Sequence, residues 1–133
     1  MKTIERLGTF DDVLADATPE AAKICLALCE IIVALHPDCV EVPRPGERSS
    51  AYGFGEKKMS EAYAYIMPQS EYANLGFYHG ANILPGNTSL EGTGKKLRHI
   101  KVRSVEAAHA PEVRKALNDA IQERQDELGI ANR

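Results

Sequence analysis

The segment Leu90-Glu91-Gly92-Thr93-Gly94-Lys95-Lys96-Leu97-Arg98-His99 is the part of the chain best equipped to hold a ligand. Five Lys or Arg and no acid lie within residues 92–103. Glycines let successive backbone N–H groups turn inward as an anion-binding nest. Gly92 and Gly94 would supply that approach, Lys95, Lys96 and Arg98 the charge, and Thr93 a hydroxyl. A phosphate or carboxylate is the chemistry such a loop suits. The segment is not a P-loop, because its glycines are two apart and the pattern that follows is a strand. The plain alternative is a turn into an edge strand whose outward Lys and Arg discourage aggregation.

A second candidate is Tyr52-Gly53-Phe54-Gly55-Glu56-Lys57-Lys58-Met59. Aromatic rings beside two lysines can clamp a planar or phosphorylated ligand, and single-stranded nucleic acid uses similar surfaces. A hairpin loop with a solvated lysine pair accounts for the same residues.

Other chemistries find less support. His36, His79, His99 and His109 form no metal-ligand spacing. Cys25 and Cys29 share a helix face, but that face reads as core, where cysteine behaves as a small hydrophobe. Asp12 and Asp16 lie one helical turn apart and could hold a cation weakly. No Gly-x-Ser-x-Gly motif is present. His79 or His99 could act as a general base only with a partner and a pocket.

The elements that must position these residues follow from caps and periodicity. Thr9 caps a short helix whose third residue is Asp12. Thr18 and Pro19 open a longer one, ended near Leu35 by His36-Pro37. That helix is apolar on most sides, so it is central or forms a dimer face, and the protein is a monomer or a homodimer. Strands are expected at residues 39–42, with Pro43-Arg44-Pro45-Gly46 turning after them, and at residues 50–54. Others are expected at 62–67, with Tyr63, Tyr65 and Met67 on one side, and at 72–78, with Ala73, Leu75 and Phe77 buried. Residues 79–94 read as a long loop. A last strand spans 97–103, with Ile100 and Val102 inward; Ser104 caps a turn, and Pro111 and Gly129 bracket a closing helix. The expected fold is α+β and two-layered. It has an antiparallel sheet of about five strands, with N-terminal and C-terminal helices packed on one face.

The 133 residues, 44% apolar and 26% charged, suit one globular domain over residues 1–133 with a core of its own. Apolar runs such as Ile31-Ile32-Val33-Ala34-Leu35 fall far short of the roughly 20 residues a membrane span needs. No secretory signal is legible at the start, and three cysteines suggest reduced thiols, so the cytoplasm is the expected location. The net charge of −3 makes nucleic acid an unlikely partner.

The middle of the chain resembles the YdhG-like domain family, a bacterial domain of unknown function. The residues that carry the likeness run from Val42-Pro43-Arg44-Pro45-Gly46-Glu47 through the Tyr52 and Asn74-Leu75-Gly76-Phe77-Tyr78-His79-Gly80 segments. The most specific part is Leu90-Glu91-Gly92-Thr93-Gly94-Lys95-Lys96-Leu97-Arg98-His99. The resemblance implies a small cytoplasmic α+β domain with a curved antiparallel sheet, and no reaction or cofactor. Some relatives are described as frataxin-like iron chaperones, which would place iron on an acidic ridge that includes Asp12 and Asp16.

The leading expectation is a non-enzymatic domain that binds an anionic small molecule or a peptide in a concave pocket. Lys57, Lys58, Lys95, Lys96 and Arg98 would provide charge, Gly92 and Gly94 close approach, and Thr93 and His99 further polar contacts. Tyr52, Tyr78 and His79 would form the walls. Iron delivery is the alternative, and an enzyme using His79 or His99 as base the third.

Overall fold

The structure, a computed structural model, describes residues 1–130. It is α+β, with a six-stranded open sheet and four helices. The strands are β1 (Lys2–Thr3), β2 (Val40–Arg44), β3 (Ser49–Gly53), β4 (Ala62–Pro68), β5 (Ala73–Phe77) and β6 (Arg98–Val102). They lie in the order of the chain. The helices are α1 (Phe10–Leu14), α2 (Pro19–Leu35), α3 (Val105–Ala108) and α4 (Pro111–Leu128).

Three of the four helices start at a side-chain cap, and α4 starts at Pro111, which has no N–H to satisfy. The Thr9 hydroxyl accepts from the Asp12 N–H at 3.1 Å while the Thr9 N–H donates to the Asp12 carboxylate at 2.9 Å, a reciprocal capping box. Thr18 accepts from the Ala21 N–H ahead of Pro19, and Ser104 from the Ala107 N–H. Gly129 ends α4 at a φ of 68°, the left-handed conformation glycine adopts freely.

The sheet departs from expectation in three ways. It has six strands where about five are expected, and it is mixed, because β1 runs parallel to β2. Pro43 and Arg44 extend β2 instead of turning. The backbone of Cys39 and Glu41 faces β1, accepting from the Lys2 and Ile4 N–H groups. Pro43, two residues on, faces the same way, past the end of β1, where no strand partner calls for the N–H it lacks. The third departure is a register shift opposite Tyr52 and Gly53. It turns Tyr63 away from Tyr65 and Met67 and into the core, where its hydroxyl meets His36 Nδ1 at 2.8 Å.

The main core joins Tyr52, Ala64, Ile66, Leu75, Phe77, Ile100 and Val102 of the sheet to Ile24, Leu28, Ile31 and Ile32 of α2 and Val113, Leu117 and Ile121 of α4. Glu41 is buried among these elements at 3% exposure. It accepts from the Tyr52 hydroxyl at 2.8 Å, the Thr3 hydroxyl at 3.0 Å and the Cys29 thiol at 3.7 Å. These donors satisfy a carboxylate that would otherwise be too costly to bury.

Burial pushes the Cys25 thiol up to about 12, and the Cys29 and Cys39 thiols to about 11, from an ordinary 9. A group whose folded-state value is raised adds stability below its unfolded value, which is lost as pH rises through the folded one. The urea midpoint is therefore expected to hold to about pH 9 and to fall steadily towards pH 12. A midpoint that stays flat across that range would show the thiols to be less buried than described.

Candidate functional site

The sheet surface that faces away from the main core carries the candidate site. Tyr65 and Met67 project there from β4, and Tyr78 follows β5. Tyr65 pairs across the ladder with Gly76, and its ring lies over the bare glycine backbone: a Cβ at Gly76 would fall 1.9 Å from the ring. The Tyr65 and Tyr78 rings sit with centroids 5.2 Å apart at an interplanar angle of 52°, within the range of favourable aromatic pairs. Tyr78 closes onto a small second apolar cluster with Val42, Ala51 and Ala62.

Two loops raise walls around this floor. Met59, from the β3–β4 loop, and Leu97, at the entry to β6, are 42% and 46% exposed. With Glu47, Ser49, Lys58, Tyr65, Met67 and Tyr78 they line a cleft of about 220 Å³. The Lys58 ammonium stands at its rim, 2.6 Å from the Glu47 carboxylate. Both partners of that pair are substantially exposed, so the pair contributes little stability and can open. Burial raises the Tyr65 and Tyr78 phenols, keeping both neutral hydrogen-bonding groups at physiological pH.

The residues singled out by sequence divide between several places. Lys58 and Tyr78 meet in this cleft. Tyr52 lies in the main core, fully buried against Glu41. Lys57 lines a different hollow, beside Lys2, Arg6 and Glu61. Thr93, Lys95 and Lys96 are exposed in the glycine-rich loop. Gly92 takes a φ of 127°, which only glycine adopts readily, and Gly94 follows it. The Arg98 guanidinium folds back onto this loop and donates to the Gly94 and Leu97 carbonyls, the latter at 2.7 Å. Two carbonyl oxygens of the loop therefore meet on the Arg98 cation.

His79 Nε2 meets the Met59 carbonyl, so that nitrogen carries the proton and donates. Nearby, Arg124 donates to the Ser60 carbonyl at 3.1 Å and Asn82 to Glu123 at 2.9 Å. These bonds tie the cleft's Met59 wall to α4. His99 lies opposite Gly76 on β6 and is bridged to Glu91. Asp12 uses its carboxylate to cap α1, and Asp16 lines a separate hollow beside Arg48. Among the described residues, no three His, Cys, Asp or Glu side chains are grouped to hold a metal ion.

Sequence reasoning missed Tyr65 and Met67 as site residues, and gave no role to Met59 and Leu97, which lie inside its two candidate segments. The signal that could have found Tyr65 is Gly76: a glycine inside a strand marks a place where another group approaches closely.

No helix among the described residues is long and apolar enough to cross a membrane. A search of family models finds no match to this chain, and comparisons with curated proteins and with solved structures find no significant similarity.

Proposed function

We propose that this is a two-layer, non-enzymatic binding domain of the cytoplasm, and that its outer sheet face takes a flat anionic small molecule or the carboxylate end of a peptide. The observation that carries this reading is the pairing of an aromatic floor, Tyr65 and Tyr78, with one ammonium, Lys58, at the rim of a mainly apolar cleft that Glu47 and Ser49 also line. Apolar walls with a few placed polar groups are the usual make-up of a small-molecule site. The YdhG-like resemblance, which names no reaction, accords with it.

The Lys58–Glu47 pair sets the terms of binding. An incoming carboxylate competes with Glu47 for the same ammonium, so removing Glu47's charge should help the ligand. Naphthoate, an aromatic carboxylate, is a suitable probe, titrated into isotope-labelled protein and followed by NMR. Lys58→Ala is expected to weaken its binding about ten-fold and Glu47→Gln to tighten it, with both effects shrinking in high salt. Naphthoate shifts that avoid Met59, Tyr78 and Leu97, or that ignore both substitutions, would refute the proposal.

A further inference from the structure

A second hollow, of about 280 Å³, opens between the end of α1, the turn after β2 and the β4–β5 connection. It is independent of the sheet-face cleft. Its floor is apolar, with Val13 and Pro45, and its polar groups carry both signs of charge. Asp12 and Asp16 stand on the α1 side, Arg48 and Gln69 on the others. Thr18 donates to the Ser70 carbonyl at 2.9 Å and so links the start of α2 to the β4–β5 connection.

Three observations single out this hollow. Arg48 has a φ of 53°, and among the described residues it is the one non-glycine in the left-handed region. A side chain there is disfavoured, and Gly or Asn would relieve it. The Asp16 and Arg48 side chains form no hydrogen bond or ion pair with any described residue, although they line the same hollow. Asp12 spends one carboxylate oxygen on the Thr9 N–H. Asp16, with both carboxylate oxygens unbonded, is the acid more available to a ligand's cation, and Arg48 is the base available to its anion; both side chains are exposed at the hollow.

We propose that this hollow binds a small α-amino acid in its zwitterionic form. The ammonium would lie against Asp16, the carboxylate against Arg48, and a short apolar side chain over Val13 and Pro45. Guanidinium and carboxylate match in a two-point fork, and ammonium and carboxylate in a charge-assisted hydrogen bond. The strained backbone at Arg48 serves to aim the guanidinium into the hollow, a use of strain typical of binding sites.

The test uses L-valine as probe, alongside isovalerate, which lacks the amine, and isobutylamine, which lacks the carboxylate. L-Valine is expected to shift the amides around Asp16, Arg48 and Gln69 saturably. Each half-molecule should bind at least about ten-fold more weakly. Arg48→Gly should abolish binding without lowering the melting temperature, because glycine suits that backbone. Asp16→Asn, an exchange at a side chain without partners, should leave the fold intact and narrow the gap between L-valine and isovalerate. The proposal is overturned if L-valine produces no saturable shift at these residues, if isovalerate binds as tightly, or if both variants keep the parent affinity. None of these outcomes depends on the naphthoate site.

Discussion

Tyr52→Phe is expected to destabilise the protein by about 3 kcal/mol, although it deletes a single oxygen. The substitution fills the same space, so no cavity term enters. It removes the nearest of the three donors to Glu41, at 2.8 Å, and leaves that carboxylate 3% exposed with a hydroxyl and a weak thiol donor. Hydrogen bonds to charged groups are the stronger ones, and a buried charge left short of partners bears the desolvation penalty itself. Urea unfolding should show a lowered midpoint with an unchanged slope. A loss below about 0.5 kcal/mol would mean that water or a shift of Thr3 replaces the phenol. A cycle with Glu41→Leu separates the two costs: once the carboxylate is gone, Tyr52→Phe should become much milder. Naphthoate binding should be unaffected throughout, because Tyr52 faces the core and not the cleft.

Gly53→Ala should cost at least as much, for a different reason. A Cβ there would fall 2.3 Å from the Glu61 carbonyl oxygen and 2.4 Å from the Ala62 Cα, both backbone atoms of the neighbouring strand region. Neither can swing aside, so the β3–β4 ladder must part at its register shift. Overpacking of this kind costs about 3 kcal/mol or more. Gly76→Ala gives the instructive contrast. Its Cβ would come still closer to a neighbour, 1.9 Å, but that neighbour is the Tyr65 ring, which can rotate towards the open face. Thermal unfolding should therefore rank Gly53→Ala well below Gly76→Ala. Gly76→Ala should instead disturb naphthoate binding, by moving one ring of the aromatic floor. Equal melting temperatures would contradict the assignment of backbone to one clash and side chain to the other.

The helices were legible because their ends are written in local chemistry. Thr9 with Asp12, Thr18 with Pro19, Ser104, and Pro111 with Gly129 each satisfy or forgo backbone groups within a few residues of themselves. β5 and β6 were legible because Leu75, Phe77, Ile100 and Val102 alternate with residues on the other side. β1 was not, since two residues carry no period and its stability comes from a partner far along the chain. Pro43 misled for a related reason: whether its missing N–H matters depends on where β1 stops. The site was half legible. Residue type marked Lys58 and Tyr78, but nothing local showed that Arg98 would turn back on its own loop while Leu97 faced the cleft. Side-chain direction in a loop is set by the neighbours that the fold supplies.

The strand order has a consequence for how the sheet assembles. Because β2 to β6 each lie beside their neighbour in the chain, four of the five ladders close across short or moderate loops, and the sheet can grow one strand at a time. β1 is the exception. It reaches its partner across α1 and α2, with Thr3 bonded to a residue 38 positions away, and gains only two ladder pairs in return. Its loop-closure cost is large and its reward small, so the N-terminal strand is the seam along which the sheet opens most cheaply. Thr3 is also one of the three donors to Glu41, so opening that seam loosens the buried carboxylate as well.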